Sequence, residues 1–276
     1  MSDEGHVVSP QNIERVGPAS DNAISEIGIS KFPRMTIYCS HHDKSLFKEL
    51  EDFGTASQST LRALLHRSRH FELIKKRTFS KVDFEVFGDA VARGVFTVDE
   101  GITRRRAWEA GTEICQKSAD NADRIILEQS EVVSLHRKID LPGVVAATGS
   151  VSPFFELNGD EIIPLQYGIF PSYKPVTLYV FFGDLTELIL VGEASDSPTI
   201  KYIDSFSTYP DKQLQAELIA ILFWMTEDVF VRPTFFRQLP DFYRSELTYY
   251  VFNQLIPYSG SVSQQVSWKG SPTTCR

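Results

Sequence analysis

Between residues 141 and 150 the chain changes its apolar period, and this limits the possible fold more than any other feature. Before it, apolar residues recur at helical spacing; after it, short apolar runs are separated by turn signals. Helices followed by strands specify an α+β protein. The expected architecture is a mainly helical N-terminal half, then an antiparallel β-meander of roughly four to five strands packed by two C-terminal helices.

The first half supplies the helix signals. "MTIYCSHH" (Met35 to His42) has strand composition, and "DKSLFKELEDFG" carries Leu46, Phe47 and Leu50 at helical spacing, closed by Gly54. A further helix is expected from about Ser59, with Leu61, Leu64, Leu65 and Leu73 inward. Ser80 and Asp83 make a capping-box pattern that predicts a new helix over 81–93, stopped by Gly94. Thr97 and Glu100 repeat the pattern, and no proline interrupts the next helix before Pro142, so it can run toward "HRKID".

The second half supplies the strand signals. Asn158 and Gly159 stand between two apolar runs, the strongest short hairpin signal a sequence offers. "VTLYVFFG" is apolar on both faces, as a central strand is, and "ELILVGEA" and "TIKYIDSF" continue the meander. Helix returns in "DKQLQAELIAILFWMTEDVF", and a last helix starts near Pro240 and Asp241. Residues 1–33 and 260–276 lack periodicity and are expected to be disordered tails, leaving a basic helical region over 34–145 and the sheet with its helices over 146–259.

Charge is unevenly placed. The chain carries 28 Lys and Arg against 36 Asp and Glu. Yet residues 62–106 hold eleven basic against six acidic residues, and 151–260 hold six against fourteen. The apolar run "LIAILFWM" is far too short to span a membrane, and the polar start lacks the pattern of a secretion signal. Three scattered cysteines fit a reducing compartment, so the expected location is intracellular, in cytoplasm or nucleus.

Candidate chemistry is sparse. As a strand, "TIKYIDSF" would put Asp204 on the same face as Ile200, Tyr202 and Phe206, as an orienting carboxylate or a solvated strand end. "IKYIDSF", with "RQLPDFYRSELTYYVF" behind it, resembles the ubiquitin-like-protein cysteine proteases, in which an Asp-Ser ends a strand and a Gln precedes the catalytic Cys. The resemblance implies Asp204 as the residue that orients a histidine and Gln238 as the oxyanion donor. No His stands where that family needs one, and Ser245 and Glu246 occupy the place of its Cys-Gly, so an enzyme of this descent would be degenerate. Asp184 and Glu193 suit a carboxylate nuclease, but Ser195 takes the place of the expected lysine. His41 and His42 point to opposite faces of a strand. His66 and His70 are four apart on a helix and could share a ligand, but the cationic "RSR" between them opposes a metal ion.

Arg67, Arg69, Lys75, Lys76, Arg77, Arg104, Arg105 and Arg106 are the candidates for contacting nucleic-acid phosphates; against that role, the second helix of the pair opens with acids. In "RPTFFRQLPDFYR", Phe236, Arg237 and Tyr243 have the composition of a protein-binding surface. The expectation is a protein-binding or regulatory protein without an intact catalytic site, cofactor or metal. Its partner would be another protein, with self-association through the basic and acidic halves as a variant. The alternatives are an enzyme, or degenerate enzyme, of the cysteine-protease kind, and a nucleic-acid-binding factor using residues 62–106.

Overall fold

The computed structural model describes residues 5–10, 24–28, 41, 45, 48, 56–141, 143–154, 156–158, 160–163, 174–182, 185–226 and 228–255. The chain forms two compact units, Arg34–Val132 and Met1–Pro33 with Val133–Arg276.

The first unit is built on a helical hairpin. Helix α1 (Gln58–Ala92) has 35 residues and helix α2 (Val98–Leu127) has 30, about 52 and 45 Å of helix respectively. Ser57 caps α1 by accepting from the Thr60 N–H at 3.3 Å. The helix does not restart at Ser80, as the capping pattern predicts: Ser80 turns its hydroxyl back to the Arg77 carbonyl at 3.0 Å and the helix runs through. No glycine or proline lies between Gln58 and Phe87 to break it, so propagation continues at one hydrogen bond per residue.

Gly94 ends α1 as expected. Its φ of +72° is left-handed, and the Gly94 and Val95 N–H groups donate to the Val91 and Ala90 carbonyls at 2.9 Å in a Schellman closure. The Thr97–Glu100 capping box starts α2 as expected, with both reciprocal bonds present. This helix stops at Leu127, however, and the "HRK" that was expected to be helical lies in a strand. The core of the hairpin is made by Leu61, Leu64, Leu65 and Leu73 against Trp108, Ala119, Ala122 and Ile125. The Gln58 side chain closes the base, giving and accepting one bond with the backbone of Val132 at 2.9 and 3.1 Å. The expected strand at Met35–His42 lies largely outside the described residues; His41 is helical, as are Ser45 and Lys48.

The second unit is a seven-stranded sheet with helices, so the α+β class holds, with more strands than expected. The strands are β1 (His6–Pro10), β2 (Ile24–Gly28), β3 (Val132–Ile139), β4 (Val144–Val151), β5 (Val176–Phe182), β6 (Thr186–Glu193) and β7 (Asp228–Val231), in the order β2-β1-β7-β4-β5-β6-β3. The β4–β5–β6 meander is antiparallel in the expected sense, and β7 pairs antiparallel with both β1 and β4. Two stretches of the supposed N-terminal tail are therefore strands, and Val7 and Val8 are buried. The C-terminal residues 260–276 lie outside the described residues.

Two further expectations fail in this unit. "TIKYIDSF" is helical: α3 (Ser197–Thr208) is capped by Asp196, which accepts from the Thr199 N–H at 3.1 Å, with a proline in its first turn. Thr199, Tyr202, Ile203 and Phe206 face inward at helical spacing. Gly192 on β6 admits the helix, since a Cβ there would stand 2.2 Å from the Thr199 methyl. Helix α4 (Asp211–Met225) also ends earlier than expected, and "DVFV" becomes β7. Leu218 to Phe223 are buried in unbroken succession because α4 packs on β4 and on α6 (Asp241–Leu255), the last helix, which starts where expected. A short helix, α5 (Pro233–Gln238), precedes it. Asn158 turns the chain as expected, with Glu156 N–H donating to the Asp160 carbonyl at 2.8 Å; most of the apolar run expected to follow lies outside the described residues.

Candidate functional site

The end of the helical hairpin is built unlike its base. Every fully buried residue of α1 lies at or before Leu73, and every one of α2 lies at or after Trp108. From Ile74 to Ala107 no side chain is buried, although this stretch is rich in large apolar residues. Val86, Val95 and Val98 are 65–67% exposed, and Val82, Phe84, Phe96 and Ile102 are 37–45% exposed.

Polar and aromatic contacts hold this end together in place of a core. Arg104 on α2 binds the Asp83 carboxylate on α1 through Nε at 2.8 and 3.0 Å, and its guanidinium lies 4.8 Å from the Phe87 ring centre. Phe87 stacks on Phe96 across the turn at 4.4 Å. Nearer the base, Lys76 sits 4.2 Å over Trp108, and a groove of about 410 Å³ runs beside it, lined by Arg77, Phe84, Trp108 and Thr112 among others.

These contacts occupy the basic residues that were candidates for nucleic acid. Arg104 is held by Asp83, Arg105 by Glu109 at 2.8 Å, Lys75 by Glu72 and Arg77 by Gln116. Arg69 is buried, and Arg67 is half-buried. Arg106 is exposed.

Toward the base the hairpin brings together a cluster of a different kind. His66 and His70, one helical turn apart on α1, both direct Nε2 to the same oxygen, Oδ1 of Asp123 on α2, at 3.0 and 2.9 Å. The two rings lie 4.2 Å apart, and the side chains are 19, 25 and 48% exposed. The His66 pKa is lowered from 6.5, chiefly by burial and then by the His70 ring, with Asp123 pulling the other way. Burial would raise the Asp123 pKa, but the bonds from His70 and His66 outweigh it and the net shift is downward.

Asp123 escaped the sequence reading because the chain separates it from the histidines by more than fifty residues. A signal existed. Folding the chain back at Gly94–Phe96 sets positions equally far from the turn opposite each other, and Asp123 lies as far after it as the histidines lie before it.

The remaining candidates lie in the second unit. Asp204 is exposed on α3, and the strand that would have aligned it with a protease pattern does not exist. Gln238 is exposed at the end of α5, Asp184 lies outside the described residues, and Glu193 is buried and paired with Lys174. Phe236 and Tyr243 pack against the edge of the sheet core, and the Tyr243 pKa is pushed up to about 12, first by burial. Arg237 pairs with Glu26 on β2. Of this aromatic segment Phe242, at 57%, is the exposed ring. Among the described residues no helix is long and apolar enough to cross a membrane. No family model, curated protein or solved structure matches this chain.

Proposed function

We propose that this is an intracellular protein-binding protein that docks on another protein through the distal end of its helical hairpin. The observation that carries the reading is the uncovered apolar surface between Val82 and Ile102, on a part of the hairpin that buries no side chain of its own. Large apolar residues exposed in such number over one short stretch are unusual on a surface that stays in water, and their usual role is to meet a partner. A long pair of helices offers such residues at the end away from its own core, in the manner of helix-in-groove recognition. Phe84 and Phe96 are the partly exposed aromatic rings of this end, and Arg105 lies 5.5 Å from the Phe84 ring. The place of Asp204 on an exposed helical face instead of a strand end, and the internal pairing of most of the basic candidates, favour this reading over an enzyme or a nucleic-acid binder.

The test is a double substitution, Val86→Lys with Val98→Lys. Both positions are 65% exposed, so the fold tolerates the change within about 0.5 kcal/mol. Full-length protein isolated under native conditions from its own cells is expected to run as a complex, and the double variant at the size of the free chain. Sedimentation of the recombinant protein alone separates self-association from a second component. Unchanged complex size in the variant would refute the proposal.

A further inference from the structure

We propose that His66, His70 and Asp123 form a binding site for one divalent first-row transition ion of the zinc type, bridging α1 and α2, with solvent completing the coordination. The site would be independent of the docking surface, whose exposed apolar residues lie between Val82 and Ile102 at the other end of the hairpin.

The geometry is that of a ligand set. Two imidazole Nε2 atoms and one carboxylate oxygen lie within 4.8 Å of one another, and the nitrogens stand 3.0 and 2.9 Å from the oxygen. Zinc bonds of about 2.0–2.2 Å in a tetrahedron set neighbouring ligand atoms about 3.3–3.5 Å apart, so each nitrogen–oxygen pair needs to open by only a few tenths of an ångström. Histidines four apart on one helix put both rings on one face. The antiparallel helix adds the third ligand from outside, so the set is facial and leaves the opposite side open. Exposure of the Asp123 carboxylate to solvent gives the ion a way in.

The chemistry of the donors selects the class of ion. Calcium and magnesium are hard cations that take oxygen donors, and two of the three ligands here are imidazole nitrogens. Imidazole nitrogen suits zinc, copper, nickel and iron. Arg67 and Arg69 lie on the same turn of α1 and oppose any cation, which disfavours ions held mainly by charge and leaves those held by directed nitrogen bonds. Each ring would offer Nε2 to the ion and carry its remaining proton on Nδ1.

The experiment is calorimetric titration of Zn²⁺ into the chelator-stripped full chain, repeated with Asp123→Asn and His70→Ala. The proposal expects one equivalent bound by the wild type and affinity at least about tenfold weaker in each variant, with unchanged helical circular dichroism. Because a variant can fail to fold, the wild type is also followed by NMR. The His66 and His70 ring signals should move together on adding one equivalent of Zn²⁺, while those of His136 stay in place. Replacement by Co²⁺ should give visible absorption bands of a low-coordinate site. No binding by the wild type, equal affinity in the folded variants, or ring shifts confined to other histidines would each overturn the proposal.

Discussion

If α1 is one continuous helix, Ser80 and Asp83 have opposite energetic roles, although the sequence pairs them as partners in a cap. As a cap, Ser80→Ala would cost about 1 kcal/mol. Within the continuous helix its hydroxyl only bonds back to the Arg77 carbonyl, and alanine, the better helix former, should gain a few tenths of a kcal/mol. Asp83→Ala is different. The carboxylate is 9% exposed and takes three bonds from Arg104, two from Nε and one from Nη2; Arg104 is 33% exposed. Exposed pairs are worth about 0.2–1 kcal/mol, and breaking a buried pair costs about 3–5, so this intermediate pair should couple by about 2 kcal/mol. Helix propensity returns roughly 0.5 kcal/mol, leaving a net cost near 1.5 for Asp83→Ala. Urea unfolding followed by circular dichroism, with a double-mutant cycle of Asp83→Ala and Arg104→Ala, measures both quantities. A loss of about 1 kcal/mol in Ser80→Ala, or a coupling below about 0.5, would refute the continuous helix and its cross-hairpin pair.

Two more outcomes follow from placement. Phe236→Ala, at the edge of the sheet core, should cost about 2–3 kcal/mol in thermal unfolding, whereas Phe242→Ala, at 57% exposure, should cost less than about 0.5; equal effects would contradict the assignment of Phe236 to the core. In chelator-containing buffer the His66 ring should titrate below 6.5, and Asp123→Asn, which removes the contribution that raises it, should lower the midpoint further. Since folding holds this ring neutral, the unfolded chain takes up its proton first. The contribution of His66 to stability is complete above the unfolded value of 6.5 and declines as pH falls from there through the folded value. An NMR midpoint above 6.5 would refute it.

What the sequence made legible was what local chemistry decides. Gly94 and the Thr97–Glu100 box marked the hairpin turn because each satisfies backbone groups within a few residues of itself. β5, β6 and α4 were legible from unbroken apolar runs of the right length. "TIKYIDSF" misled because its alternating Ile, Tyr and Phe also leave Tyr202, Ile203 and Phe206 on one helical face. The deciding signal is Asp196 with Pro198 in the first turn, a helix start. β1 and β2 were missed because strands of five residues take their stability from pairing, and β7, which pairs with β1, lies more than two hundred residues away. The candidate site was legible in half: His66 and His70 carried the right spacing, and Asp123 needed the hairpin. The expected interface, Phe236 with Tyr243, had the right composition at a place where packing claims it.

The claim that the hairpin tip meets a partner protein is tested most directly by site-specific photo-crosslinking in the protein's own cells. A photoreactive residue placed at Val86 or Val98 on the tip is compared with one at Lys117, on α2 beyond the exposed apolar stretch. The account predicts a discrete higher-mass adduct from both tip positions, absent from Lys117 and lost when Phe84→Ala and Phe96→Ala are introduced together. Adducts of equal yield from all three positions, or none from the tip, would contradict it.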